Sequence, residues 1–125
     1  MFTRIGASDR LLEHKSTFFM EMEETKAIVE QATPRSLAII DELGRGTSTF
    51  DGFALASATL RHIVDVSECM CMFTTHYHMM NQTFERHHKV QAMRMACRVG
   101  DGGQVEFSYK YEQGHTDNSQ GIFVA

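Results

Sequence analysis

The sequence predicts an α/β protein with a largely parallel sheet, flanking helices and one antiparallel hairpin. A continuous apolar run, Leu37 to Ile40, lacks the alternation of a half-exposed strand and is typical of a strand buried on both faces. Apolar residues recur at helical spacing before and after this run. Two alternating segments near the end of the chain flank a glycine-rich turn, Gly100 to Gly103, which indicates a hairpin.

Composition limits the class of protein. The 125 residues suffice for one core but not for two ordinary domains, and 42% hydrophobic with 22% charged residues is typical of a globular domain. A net charge of −4 argues against a DNA-binding surface on this segment itself. No apolar run reaches bilayer-spanning length and no leader-like segment opens the chain, so we expect an intracellular protein without a membrane partner. Its three cysteines are expected to be reduced.

The first part of the chain predicts a short strand or turn and a helix. Phe2 to Ala7 is short and rich in apolar residues, and Ser16 is suited to cap a helix that ends before Pro34. The predicted buried face carries four apolar residues and excludes three charged ones: Phe18, Met22, Val29 and Ala32 on the face, and Glu21, Glu24 and Lys26 elsewhere.

Two carboxylates, Asp41 and Glu42, end the apolar strand, where open α/β sheets bind their ligands. A turn of small and hydroxylated residues follows, and a second helix is predicted from Asp51 to Val66. The predicted buried stripe of that helix contains Phe53, Ala56, Leu60 and Ile63.

The remaining elements follow from shorter patterns. Cys69 to Thr75 predicts a second buried strand, with His76 at its carboxyl end. Met79 to Arg86 predicts a short helix, and Val90 to Val99 with Val105 to Tyr111 predicts the antiparallel pair.

The adjacent carboxylates have a specific chemical interpretation. An Asp at the end of a buried strand is typical of Mg²⁺ binding at nucleotide phosphates, and an acidic neighbour could orient or deprotonate the attacking water. The alternative interpretation is solvated charge that merely closes a strand.

Four segments, in order, carry a resemblance to one family. DELGRGTSTFDG (Asp41 to Gly52) resembles the Walker B and D-loop segment of the MutS family of DNA mismatch-repair ATPases, relatives of the ABC ATPases. FTRIGASD (Phe2 to Asp9) resembles the stretch before the family's signature, and STFFMEMEET (Ser16 to Thr25) resembles the signature. TTHY (Thr74 to Tyr77) resembles the switch-histidine motif.

The resemblance implies part of a P-loop, ABC-type ATPase fold, with ATP and Mg²⁺ as cofactors. It implies that Asp41 organises Mg²⁺, that Glu42 activates water and that His76 contacts the γ-phosphate. Ser16 would reach the γ-phosphate of ATP held by the opposite subunit. The turn that would complete the partner's site contains Gly44, Arg45, Gly46 and Thr47.

The resemblance also implies partners and a location. GASDR, STFF, THYH and MRMAC resemble most the eukaryotic MutS homologue 6 type, which implies a nuclear protein in a heterodimer with a second MutS-family subunit. Mismatched double-stranded DNA would bind through regions outside these residues. The 125 residues contain no G-x-x-x-x-G-K-[ST] phosphate loop, so residues 1–125 resemble the carboxyl-terminal part of the ATPase domain and are expected to hydrolyse no ATP alone.

One segment departs from the family pattern, and two other functions stay open. Asn118 to Gly121 replaces the family's common Lys-Ser-Tyr-Gly, which affects the expected packing of the tail. One alternative is a nucleotide-independent dimerisation module or inactive remnant. The other is a metal-dependent hydrolase using Asp41, Glu42, His76 and His78. A zinc site of Cys69, Cys71 and the two histidines is disfavoured, because its spacing differs from that of structural zinc sites.

Overall fold

A computed structural model describes residues 1–6, 16–99 and 105–115, without the side chains of Val99 and Val105. The chain divides into two compact units, residues 1–80 and 81–125. Among the described residues, no helix combines the length and apolarity needed to cross a membrane.

The first unit contains a parallel sheet of three strands: β1 (Phe2–Arg4), β2 (Leu37–Asp41) and β3 (Met70–Thr74), in the order β1-β2-β3. The predicted parallel sheet is therefore confirmed. In its register Asp41 lies opposite Thr74, so the carboxyl ends of β2 and β3 meet at one edge of the sheet.

Burial within this sheet differs from the prediction. Ala38 and Ile40 of β2 are fully buried, but the alternating residues Leu37, Ile39 and Asp41 are only half-buried, so one face of the strand is less covered than predicted. The prediction that β3 is buried was wrong: Met70 is 71% exposed and Met72 is 54% exposed. The reason is that one face of β3, which carries Met70, Met72 and Thr74, is open to solvent in the described sheet.

Helix α1 (Thr17–Gln31) begins as predicted, because the Ser16 hydroxyl accepts a hydrogen bond from the Phe19 N–H. It ends ahead of Pro34, also as predicted. The predicted buried face was wrong. Phe18, Met22, Val29 and Ala32 are only half-buried, and the buried residues of the helix are Glu21, Thr25 and Ile28.

Helix α2 (Thr49–His62) starts two residues before the predicted position and continues into a π-helical turn, Ile63–Ser67. Ser48 caps it by accepting from the Asp51 N–H. Three members of the predicted stripe are buried and Phe53 is half-buried; the three are Ala56, Leu60 and Ile63. The buried position before Phe53 is Gly52.

Helix α3 (Met79–Phe84) begins at the end of the first unit and is two residues shorter than predicted. In the second unit β4 (Met93–Val99) and β5 (Val105–Gln113) pair antiparallel, as predicted, with an irregularity between Met95 and Cys97. The predicted turn at 100–103 lies outside the described residues. So does the segment 118–121, whose sequence differs from the family pattern.

Candidate nucleotide site

The two carboxylates are positioned by the end of the neighbouring strand. The Thr74 hydroxyl donates a hydrogen bond to Asp41 Oδ1 and accepts one from the Glu42 N–H at 3.2 Å. The Glu42 N–H also contacts the Thr74 carbonyl oxygen at 3.2 Å. Asp41 and Glu42 are half-buried. One threonine therefore fixes the Asp41 carboxylate and the backbone of Glu42 together.

Glu42 has an unusual backbone conformation and an ion-pair partner. Its φ of 48° lies in the left-handed region that non-glycine residues rarely adopt, and such conformations often occur at functional sites. Its Oε2 lies 2.6 Å from Nη1 of Arg45, whose side chain is 75% exposed. This pair is open to solvent, so it orients the carboxylate more than it stabilises the fold.

The turn after Glu42 is held by side chains from two other elements. Glu21 Oε1 of α1 accepts from the Gly44 N–H at 2.8 Å, and the Tyr77 hydroxyl donates to the Gly44 carbonyl oxygen at 2.9 Å. All three residues are buried. We call this arrangement of Glu21, Gly44 and Tyr77 the Gly44 clamp.

Close backbone approach explains why glycines occupy 44 and 52. Gly44 has a φ of 91°, and a Cβ there would lie 2.6 Å from the Cα of Gly52. A Cβ at Gly52 would overlap with the Tyr77 hydroxyl and the Gly44 carbonyl oxygen. The start of α2 therefore packs directly on the turn only because both positions lack side chains.

Glu21 has a buried cationic partner that pattern reasoning missed. Its Oε1 lies 3.2 Å from Nη2 of Arg4, and both side chains are less than a tenth exposed. Arg4 also donates to the Gly6 carbonyl at 2.9 Å and approaches Glu24 at 3.5 Å. The available signal was the helical spacing of Glu21 and Thr25 with Ile28, which puts them on one face.

Tyr77 lies beside the proposed switch histidine. The ring centroids of Tyr77 and His76 are 4.2 Å apart, and Phe53 meets the tyrosine ring edge-on at 6.2 Å. A phenol is already protonated at neutral pH. Burial and, secondarily, the charge of Glu21 raise the pKa of the Tyr77 hydroxyl further, which extends its role as a donor to more alkaline solution. His76 and His78 are exposed.

The other residues assigned to nucleotide binding lie in or near the first turn of α1. The Ser16 hydroxyl is exposed and engaged as the helix cap. A Cβ at Gly46 would lie 3.4 Å from that of Phe18, so the turn at 44–47 packs against the beginning of this helix. The Thr47 N–H contacts the Gly44 carbonyl at 3.4 Å.

Within residues 1–6, 16–99 and 105–115, no three His, Cys, Asp or Glu side chains form a group that could hold a metal ion. The metal-hydrolase alternative therefore has no support in the described structure. Cys69, Cys71 and Cys97 are free thiols, and burial raises the pKa of Cys71 to about 12, with a smaller effect from Cys69.

Comparison with known proteins identifies the family. The family model described as MutS domain V matches residues 1–125. The chain belongs to the MutS family. It is 42% identical to DNA mismatch repair protein MSH7 of Arabidopsis thaliana, 41% to Msh6 of Homo sapiens and 48% to MutS of Anaeromyxobacter sp. strain K. Each match covers all of this chain but only 12%, 10% and 14% of the relative, so the chain spans about a tenth of their length.

The relatives include eukaryotic and bacterial proteins at comparable identity. The identities place the chain among MutS-family mismatch-repair proteins, as a piece of the carboxyl-terminal ATPase domain, without assigning it to one branch.

Proposed function

We propose that this chain forms part of a composite ATP-hydrolysing site in a MutS-family mismatch-repair protein, and that nucleotide state is coupled there to recognition of mismatched DNA. The observation that carries the proposal is the meeting of Asp41 and Glu42 with the end of β3, in a chain of this family. We further propose that the three-stranded parallel sheet belongs to a P-loop, ABC-type ATPase fold.

Asp41 is proposed to hold Mg²⁺ with ATP. Mg²⁺ usually binds through one or two carboxylates, phosphate oxygens and water rather than through an all-protein cage. The site fits this mode of binding. Asp41 Oδ1 accepts from Thr74, and Oδ2, which has no hydrogen-bond partner among the described residues, is available to the ion. When bound, the ion would neutralise charge on the phosphates.

Glu42 is proposed as the general base for the attacking water. A carboxylate in that role must lie within hydrogen-bond reach of the water, directly or through one intermediate. Arg45 engages one of its oxygens, so the second oxygen is available for the proton. Because Arg45 is mostly exposed, it is also free to leave Glu42 and contact a nucleotide at a subunit interface.

His76 is proposed to contact the γ-phosphate. It follows β3, whose end lies beside Asp41, and its exposed ring rests against Tyr77. A protonated imidazole there would bind an anionic oxygen of the phosphate directly.

Ser16 and the turn Gly44, Arg45, Gly46 and Thr47 are proposed to complete the partner subunit's site. Both contribute polar groups at the exposed beginning of α1, where helix N–H groups favour anions. Because each site would then need both subunits, nucleotide binding and dimer geometry would be linked. The second subunit is proposed to be another MutS-family protein.

Mismatched DNA is proposed to bind elsewhere in the protein, since this segment carries a net charge of −4. Nuclear localisation is proposed from the resemblance to eukaryotic Msh6 and MSH7. Fluorescence imaging of the tagged protein in its source cell checks the location.

The function is tested with the full-length subunit, assembled with its MutS-family partner. We expect steady ATP hydrolysis whose rate changes when mismatched duplex replaces matched duplex. If the assembly forms equally well without nucleotide and mismatched DNA leaves hydrolysis unchanged, the chain acts as a dimerisation module and the proposal fails.

A further inference from the structure

The backbone N–H and carbonyl of Gly44 each form a hydrogen bond with a side chain from another element. Its N–H reaches the carboxylate of Glu21 on α1, and its carbonyl accepts from Tyr77 after β3. Turns usually satisfy these groups with nearby backbone or water. Here a buried carboxylate accepts from the N–H, and a buried phenol adds to the Thr47 N–H at the carbonyl oxygen, although both side chains are distant in sequence.

We propose that Glu21 and Tyr77 are positioning residues that hold the Gly44 turn so that the Glu42 carboxylate points to its water, a role that rests on the proposed hydrolytic function. Only Leu43, which is fully buried, separates Glu42 from Gly44. With the Glu42 N–H anchored to Thr74 and the Gly44 peptide anchored at both ends, the backbone on either side of Leu43 is fixed.

The Gly44 clamp also connects two elements with different proposed roles. Helix α1 carries Ser16 at its start, for the partner subunit's nucleotide, and the segment after β3 carries His76, for the nucleotide of this subunit. Glu21 lies on the helix that Ser16 caps, and Tyr77 is adjacent to His76. A helix moves as a rigid element, so a displacement of α1 when Ser16 meets a partner's phosphate is transmitted to Gly44 through Glu21. Tyr77 then carries the same displacement to His76.

The chemistry of the clamp supports a specific orienting role. A buried ion pair contributes little net stability compared with apolar packing, so the Arg4–Glu21 pair is a poor device for stability alone. It fixes the Glu21 carboxylate beneath the turn, where Oε1 also accepts from the Gly44 N–H. The Tyr77 phenol is protonated at neutral pH and donates its proton to the Gly44 carbonyl oxygen at 2.9 Å.

The test replaces single hydrogen-bonding groups in the assembled full-length subunits. Tyr77→Phe removes only the hydroxyl, and Tyr109→Phe, at an 81% exposed position outside the first unit, is its matched control. Glu21→Ala removes the acceptor, while Glu21→Gln retains an amide oxygen that can still accept from Gly44. Single-turnover hydrolysis, ATP affinity and amide hydrogen exchange of the peptide containing Gly44 are measured on each variant.

We expect Tyr77→Phe to slow single-turnover hydrolysis by about tenfold. A misplacement of about 1 Å can cost about a hundredfold, and loss of one of the two side-chain bonds to Gly44 should shift the Glu42 carboxylate by less than that. ATP affinity should stay within about twofold, because the phosphate contacts do not involve the phenol. Exchange at Gly44 should rise in Tyr77→Phe and rise most in Glu21→Ala, with Glu21→Gln recovering part of the protection. Tyr109→Phe should match the parent in every measurement.

The positioning role is wrong if Tyr77→Phe hydrolyses at the parent rate, if its rate and ATP affinity fall in equal proportion, or if exchange at Gly44 is unchanged. Failure of the hydrolytic proposal is recognised separately. If Glu42→Gln in the same assembly hydrolyses normally, the site assignment fails, whereas hydrogen exchange at Gly44 still reports whether the clamp exists.

Discussion

The Thr74 hydroxyl donates a hydrogen bond to Asp41 Oδ1 across the junction of β2 and β3. The hydroxyl oxygen of Thr74 also accepts from the Glu42 N–H, so the proposed metal ligand and the proposed base share one orienting group. Thr74 was part of the switch-like motif in the sequence, but its contact with Asp41 depends on the parallel register.

Thr74→Val should weaken Mg-ATP binding, because it keeps the β-branched shape and removes the hydroxyl that orients Asp41. We expect the Kd to rise by about tenfold, the equivalent of about 1.4 kcal/mol for one lost hydrogen bond to a charged group. Titration with a fluorescent ATP analogue in Mg²⁺ measures this. Thr74→Ser, which retains the hydroxyl, should bind like the parent; equal loss in both variants would assign the effect to the side-chain methyl instead.

Glu42→Gln and Asp41→Asn should separate chemistry from binding. Glu42→Gln preserves size and hydrogen bonding but removes the negative charge that draws a proton from water, so hydrolysis should slow by about a hundredfold or more with Mg-ATP affinity retained. Asp41→Asn should impair both. Single-turnover hydrolysis and nucleotide binding are compared side by side in the full-length subunit. A Glu42→Gln variant that loses binding as severely as Asp41→Asn would exclude Glu42 as the base.

Gly52→Ala should lower the free energy of unfolding by about 2 kcal/mol. A methyl at this position overlaps with the Tyr77 hydroxyl and the Gly44 carbonyl, and the cost of overpacking outweighs the gain of about 1 kcal/mol from replacing a helical glycine. Gly46→Ala is the matched control, since its methyl meets Phe18 at an ordinary 3.4 Å. Urea denaturation measures the free energy of unfolding of both variants. If Gly52→Ala is as stable as Gly46→Ala, the packing at Gly52 is loose.

Arg4→Met should destabilise the protein by about 3–5 kcal/mol, because it leaves the buried Glu21 carboxylate without its cation. Adding Glu21→Met should recover part of this loss, because it removes the unpaired charge but leaves the Gly44 N–H without its acceptor. Arg61→Met, in an exposed pair with Asp65, should cost about 1 kcal/mol or less. Denaturant midpoints measure all three. If Arg4→Met loses no more stability than Arg61→Met, the Arg4–Glu21 pair is solvated in solution.

Alkaline pH should destabilise the fold through Cys71. Burial raises its pKa from 9.0 to about 12, so between these values the unfolded thiol loses its proton while the folded thiol keeps it. The free energy of unfolding is then highest below pH 9 and decreases as pH rises toward 12, and the raised pKa values of Cys69 and Tyr77 act in the same direction. When the free energy of unfolding is measured by denaturation across this pH range, it should decrease less steeply with pH in Cys71→Ala than in Cys97→Ala. Identical slopes would contradict the assignment to Cys71.

The local features of the fold could be predicted from sequence because short segments specify them. Ser16 caps α1 since its hydroxyl reaches an N–H within the next turn. The apolar run of β2 and the carboxylates that end it are adjacent in the chain, so the location of Asp41 and Glu42 followed directly from the pattern. Four ordered motifs identified the family, which the comparisons confirmed.

Only the tertiary structure decided which face of α1 is buried. Hydrophobic periodicity left Glu21 off the predicted buried face, as expected for a charged side chain considered alone. The carboxylate is buried because Arg4 on β1 and the Gly44 N–H reach it from distant parts of the chain. Similarly, Tyr77 meets Gly44 only because β2 and β3 pair in one register. Charge compensation and backbone contact of this kind depend on long-range pairing, and local sequence patterns contain no information about such partners.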